Sequence, residues 1–186
     1  MTQVMIVVPA RYASTRLERK MLLSKTGKPL IQHTYEAASQ ATQASKVLVA
    51  TDHPEIEQAV HHFGGEAIMT DPNAQSGTDR IAEVARAFSD YELVVNVQGD
   101  EPEIEPEAID LAIRILREDS TAMMSTLATP IRTPETLSDP AAVKVVMDQN
   151  QQALYFSRSP IPFPRAQEKV DLSLIHISEP TRRYEI

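Results

Sequence analysis

The sequence predicts an α/β protein, a mainly parallel sheet with helices on both faces. Short runs at Val4–Val8, Lys46–Ala50 and Leu93–Val97 are nearly continuous in apolar residues, as strands covered on both sides are. Between them lie stretches with apolar residues at helical spacing. Strand–helix alternation of this kind implies a doubly wound parallel sheet.

The elements follow in order. After Val4–Val8 comes a helix over Leu30–Ala41, then the strand Lys46–Ala50 and a helix over Glu55–Phe63. Glu66–Thr70 reads as a strand, and Asp79–Phe88 as a helix with Ile81, Val84, Ala85 and Phe88 on one face. Leu93–Val97 is the next strand. Pro106–Leu116 is a helix with Pro at its first position and Ile109, Ala112, Ile113 and Leu116 on one side. Beyond residue 120 the pattern changes. Met123–Ala128, Val143–Asp148 and Ala153–Ser157 read as strands without long helices between them, a mixed or antiparallel extension of the sheet. Pro160, Pro162 and Pro164 then break regular structure. The division expected is a nucleotide-binding core over 1–120, a sheet extension over 121–172 and a tail over 173–186. From Ser173 the chain matches no earlier pattern and resembles translated sequencing-adapter read-through, so the tail is expected to be non-native. The other reading is a short genuine terminal segment.

Composition narrows the function. The 186 residues carry a formal net charge of -8, which argues against nonspecific nucleic-acid binding. There are no cysteines, which rules out disulfides and thiolate metal sites. No apolar run approaches the roughly 20 residues that a membrane span needs, and Met1-Thr2-Gln3 does not open a signal peptide. The expectation is a soluble cytoplasmic protein with no nucleic-acid or membrane partner.

Against that acidic background, Arg11, Arg16, Arg19 and Lys20 crowd into ten residues directly after the first strand. The loop Pro9–Lys20 reads either as a phosphate cradle, with Ser14 and Thr15 adding donors, or as a solvated basic turn. It has no Walker spacing. Asn96-Val97-Gln98-Gly99-Asp100-Glu101-Pro102 ends the fourth strand. There Asp100 either holds a divalent ion that bridges to nucleotide phosphates or sits in a plain turn. Gln75-Ser76-Gly77-Thr78-Asp79-Arg80 enters a helix; it is an N-cap, or an anion- or base-contacting turn as well. Thr51-Asp52 is a ligand contact or a turn before Pro54. Arg158, at a strand end, holds an acidic sugar's carboxylate or lies on the surface. His61 and His62 read as helix surface, and the five histidines show no metal spacing.

Together these segments resemble one family, the 3-deoxy-manno-octulosonate (Kdo) cytidylyltransferases of Gram-negative lipopolysaccharide synthesis. The resemblance rests on Ile6–Leu17, Val49–His53, Gln75–Arg80, Val95–Pro102, Ala142–Val146 and Ala153–Arg158, in order along the chain. It implies a Rossmann-like nucleotidyltransferase fold, Mg2+ and a homodimer. The reaction it implies is CTP plus Kdo giving CMP-Kdo and pyrophosphate. By this resemblance Lys20, Arg16 and Asp100 are catalytic, with Asp100 the metal ligand. Pro9, Ala10, Arg11, Ser14, Arg16, Lys20, Thr51, Asp52, Ser76, Gly77 and Arg80 line the nucleotide, the last three reading cytosine. Gln98 and Arg158 contact the sugar. Two departures stand out. Glu18-Arg19 precedes Lys20 where the family usually has Pro-Gly or Pro-Arg, so Glu18 is expected to point outward, away from a triphosphate. Family members are also longer, so the C-terminal part is expected to be missing, with a second metal-binding Asp, much of the sugar pocket and much of the dimer contact. The other functional readings are a CMP-sialate-type nucleotidyltransferase, or a truncated, catalytically silent nucleotide-binding fragment.

Overall fold

The computed structural model describes residues 3–13, 17–163 and 176–182. They fall into two compact units, residues 1–125 with 181–186, and residues 126–180.

The first unit is built on β1 (Val4–Ala10), β2 (Lys46–Thr51), β3 (Ala67–Met69) and β4 (Leu93–Asn96). These run parallel in the order β3-β2-β1-β4. Ala10 lies beside Thr51, so β1 and β2 end level, while Asn96, the last residue of β4, lies beside Val7. Every residue of β1 is buried. Alternate side chains leave a strand on opposite faces, and the sequence supplies apolar residues to both. Val4, Ile6 and Val8 pack with Ile31 of α1 (Leu30–Ala38), Ile56 of α2 (Pro54–His62) and Ile109 of α4 (Pro106–Glu118). Met5 and Val7 pack on the other face with Ile81, Val84 and Ala85 of α3 (Gly77–Ala87). Each such side chain taken fully from water contributes about 1.5–3 kcal/mol. Helices on both faces of a parallel sheet are what the apolar runs predicted.

Local chemistry sets the boundaries. Pro54 and Pro106 open α2 and α4, where a missing N–H costs nothing. α1 ends before the expected Ala41 because the Ser39 hydroxyl donates to the Tyr35 carbonyl at 2.7 Å, and Gln40 and Ala41 turn back three residues instead of four. The segment that follows is clasped by Asp110 of α4. Its carboxylate accepts from the Thr42 N–H at 2.9 Å, the Thr42 hydroxyl at 2.7 Å and the Gln43 N–H at 2.8 Å. Burial pushes this carboxyl up, but the three donors outweigh it and hold the pKa below the ordinary value.

The second unit centres on an antiparallel pair, β6 (Lys144–Met147) and β7 (Ala153–Ser157), after β5 (Met124–Pro130). Asp148 closes the hairpin by accepting from the N–H groups of Asn150 and Gln152 at 2.8 and 2.9 Å. A short helix, α5 (Pro134–Ser138), was not foreseen; Thr133 caps it by accepting from the Thr136 N–H at 3.2 Å. Lys144 is fully buried. Its ammonium donates to the carbonyls of Asp139, Ala142 and Arg158 at 2.8, 2.8 and 2.6 Å, one for each N–H. The tail set apart from the sequence is described only over β8 (His176–Arg182), where Ile177 lies antiparallel beside Lys144.

Candidate functional site

From β1 the chain moves outward through β2 to β3, then returns to place β4 on the other side of β1. β1 and β4 therefore flank the point where the strand order reverses, the position where open α/β sheets bind ligands. Lys20 follows β1 and Asp100 follows β4. They meet there, with Lys20 Nζ 2.5 Å from Asp100 Oδ2 and each side chain about a third exposed.

Each partner is held from below. Gly99 has no room for a side chain: a Cβ there would lie 2.9 Å from the Pro9 carbonyl oxygen and 3.1 Å from Met21 Sδ. The hydroxyl of Thr34, fully buried on α1, donates to the Gly99 carbonyl at 2.9 Å. The backbone carrying Asp100 is thus fixed by packing and by one buried hydrogen bond. Lys20 begins a 3-10 turn, Lys20–Leu22, whose Met21 is buried in the core. Met21 ties that turn to the Gly99 corner.

A second group joins the ends of β1, β2 and β3. The Tyr12 N–H donates to Asp52 Oδ1 at 2.9 Å, and Asp52 Oδ2 pairs with Arg80 Nη2 at 3.0 Å. Arg80 also donates to the Thr70 hydroxyl and, at 3.4 Å, to the Asp71 carbonyl. The Asp52 and Arg80 side chains are only 12% and 4% exposed. Removing one member of so buried a pair leaves the other charge uncompensated, a large cost. The Tyr12 ring stacks on His53 with centroids 3.6 Å apart, and its hydroxyl donates to Glu55 at 3.2 Å. Partial burial first, then that hydrogen bond, pushes the Tyr12 phenol above the ordinary tyrosine value.

The residues expected from the sequence fall as follows. Pro9 and Ala10 are buried at the end of β1, and Arg11 is exposed. Ser14 and Arg16 lie outside the described residues. Thr51 is buried, and its carbonyl accepts from the Thr70 N–H and hydroxyl at 2.8 and 2.9 Å. Ser76 caps α3, accepting from the Asp79 N–H at 3.1 Å and donating to the Asp79 carboxylate at 2.6 Å. Gly77 is exposed beside the Pro9 ring, so the α3 entrance adjoins the β1 end. Gln98 is half-buried and donates to Asn96 Oδ1 at 3.2 Å. Arg158 belongs to the second unit, where it donates to the Pro140 carbonyl at 2.8 Å. Glu18 does point outward, 90% exposed. His61 and His62 are exposed on α2, as read from the sequence.

Thr34, Thr70, His53 and Glu55 were not singled out from the sequence. Thr34 carried a signal, a hydroxyl in the apolar register of Ile31 and Ala38. His53 precedes Pro54 as a helix cap does; Thr70 and Glu55 act through contacts that no local pattern encodes. Among the described residues no group of three or more His, Cys, Asp or Glu side chains gathers to hold a metal, and no helix is long and apolar enough to cross a membrane.

Comparison with known proteins places this arrangement. A cytidylyltransferase family model matches residues 5–185. The 3-deoxy-manno-octulosonate cytidylyltransferase of Geotalea uraniireducens is 55% identical over 84% of this chain and 62% of its own length. That of Escherichia coli is 48% identical over 91% of this chain and 68% of its own length. The chain thus spans about three fifths to two thirds of the curated relatives it matches. A solved CMP:2-keto-3-deoxy-manno-octonic acid synthetase complexed with CTP superposes with a TM-score of 0.89 at 44% identity, covering 98% of this chain and 75% of that one. A cytidylyltransferase from Leptospira borgpetersenii, 20% identical with a TM-score of 0.60 over 69% of this chain, shares the fold. The mainly parallel nucleotidyltransferase fold and these identities agree: the chain belongs to the cytidylyltransferase family, among the 3-deoxy-manno-octulosonate members.

Proposed function

We propose that the chain carries the nucleotide-binding portion of an enzyme that transfers a cytidylyl group from CTP to Kdo, giving CMP-Kdo and pyrophosphate. The product would be the activated sugar for lipopolysaccharide assembly, made in the cytoplasm by a homodimer. The observation that carries this reading is the meeting of Lys20 and Asp100 at the switch point between β1 and β4. A cation for the departing pyrophosphate and a carboxylate for a metal stand together there, in a chain whose relatives are named for this activity.

In this reading Lys20, Arg11, Ser14 and Arg16 hold the triphosphate, over a β1 end formed by Pro9 and Ala10. The anomeric hydroxyl of Kdo attacks the α-phosphorus in line, and pyrophosphate leaves. Positioning and charge neutralisation carry most of the acceleration. Ser76 and Gly77 would read cytosine through backbone groups, since the Ser76 hydroxyl is engaged in its cap. Arg80, bonded to Asp52 and Thr70, would set the height of that turn. Gln98 would meet the acidic sugar. Asp100 fits Mg2+ in donor chemistry: a hard carboxylate oxygen beside a phosphate-binding loop, with phosphates and water to complete the shell. Bound there, the ion would neutralise phosphate charge and lower the pKa of the attacking hydroxyl.

The test is thermal stabilisation by CTP with Mg2+ against ATP, GTP and UTP. A ligand at a hundred times its Kd stabilises by about 2.7 kcal/mol, several degrees in a domain of this size. CTP alone should give that shift, and Lys20→Ala should lose most of it. A cooperative melt that no nucleotide moves would count against the reading.

A further inference from the structure

Of the four cations in the loop after β1, Arg19 has no part in the scheme above. Its backbone sits at φ 52°, ψ 33°. A side chain in that left-handed region is costly, and glycine avoids the cost. Its guanidinium lies 5.2 Å from the centre of the Tyr12 ring and 3.7 Å from Glu55 Oε2, with the exposed Glu18 carboxylate 3.9 Å from Nε. Tyr12 is pinned at the other end of the loop: backbone to Asp52, ring on His53, hydroxyl to Glu55. His53 in turn caps α2, accepting from the Glu55 N–H at 3.2 Å. Tyr12 and Arg19 therefore meet one platform, the turn from Asp52 to Glu55.

We infer that Arg19 is a positioning residue. Its clasp on Tyr12 and Glu55 holds the turn from Arg19 to Leu22 in the form that presents Lys20, and its charge is engaged by Glu55 instead of by a ligand phosphate. The clasp offsets the strained backbone of Arg19. Without it the turn from Arg19 to Leu22 opens more often, and only the fraction that presents Lys20 binds. The claim about ligand rests on the nucleotide reading above; the claim about the loop does not.

The experiment has two arms on the same chain. Amide exchange at Leu22 and Leu23, whose N–H groups bond to the Arg19 and Lys20 carbonyls at 2.9 and 3.2 Å, reports the loop without any ligand. Glu55→Gln keeps an acceptor for Tyr12 but loses the ion pair, and exchange should quicken about threefold to fivefold. Arg19→Ala keeps the backbone strain and loses the clasp, giving about tenfold. Arg19→Lys, which keeps a cation, should recover much of the protection. Unchanged exchange in Glu55→Gln and Arg19→Ala alike overturns the clasp. CTP binding supplies a test of sign. A positioning clasp predicts weaker binding in Glu55→Gln. Were Arg19 a phosphate ligand restrained by Glu55, the same change would tighten it and overturn the inference. If the wild-type chain takes up no CTP, the nucleotide reading fails and the exchange arm alone decides the clasp.

Discussion

The parallel unit and the antiparallel unit bury different things. In the first, all seven residues of β1 are buried and both faces meet helices. In the second, β7 leaves Ala153 to Phe156 exposed, with Leu154 at 66% and Tyr155 at 62%. The largest buried side chain there is a lysine tied to three carbonyls. Apolar burial holds the first unit, and in the second a polar hub stands beside a small apolar set, Ile131, Leu137 and Val145. Lys20 and Asp100 stand on the unit whose strands cannot shift without opening a core.

The largest effect should come from the first unit. Ile6→Ala removes a fully buried side chain from the middle of β1 and should cost about 3–4 kcal/mol in urea denaturation. A loss under about 1 kcal/mol would mean the face of β1 is not covered as described. Lys144→Met comes next, at about 2–3 kcal/mol, because three buried carbonyls lose their donor together. The loss should appear as faster amide exchange in β6 and β7. Replacing buried charge by an apolar side chain is sometimes stabilising; a more stable variant would show that the hub is dispensable and blur the contrast between the units.

The same contrast governs what the sequence made legible. β1, β2 and β4 were readable because strands covered on both faces are nearly continuous in apolar residues, and Val4–Val8, Lys46–Ala50 and Leu93–Val97 are, but for Lys46 and Asn96. β7 was read at its observed bounds, Ala153–Ser157, although its faces are exposed. α5 was missed, though Thr133-Pro134 is a cap followed by a first-turn proline. Among site residues, Lys20 and Asp100 were each named from strand-end position. Their ion pair across 80 residues was not, since separation in sequence carries no sign of it. Arg80 was read as a base contact; its bonds to Asp52 and Thr70 depend on where three strands end side by side, which only the register settles.

A smaller effect is expected where the first unit relies on polar contacts of its own. Asp110 is held below the ordinary carboxyl pKa, so its folded value lies under its unfolded one. The clasp therefore contributes stability above the unfolded value, and that contribution is lost as pH falls through the folded value. Asp110→Asn should cost about 1 kcal/mol at neutral pH, because an amide cannot accept from all three donors. The gap between variant and wild type should close in acid. A gap that stays constant with pH would remove the carboxylate charge from the account.

The smallest effect should fall on β7. Leu154→Ser takes away as much apolar surface as a core substitution does, yet Leu154 is already mostly in water. Its change in stability should stay within about 0.5 kcal/mol. The comparison with Ile6→Ala is then a direct reading of burial, since both lose an aliphatic side chain from a strand. A loss above about 1 kcal/mol at Leu154 would say that β7 is covered in solution after all. A second copy of the chain as that cover would make the melting temperature of the wild type rise with protein concentration, and that of the variant would not. Exposure on β7 would then be a property of the lone chain, and the contrast between the two units would be one between a face buried within the chain and a face buried by assembly.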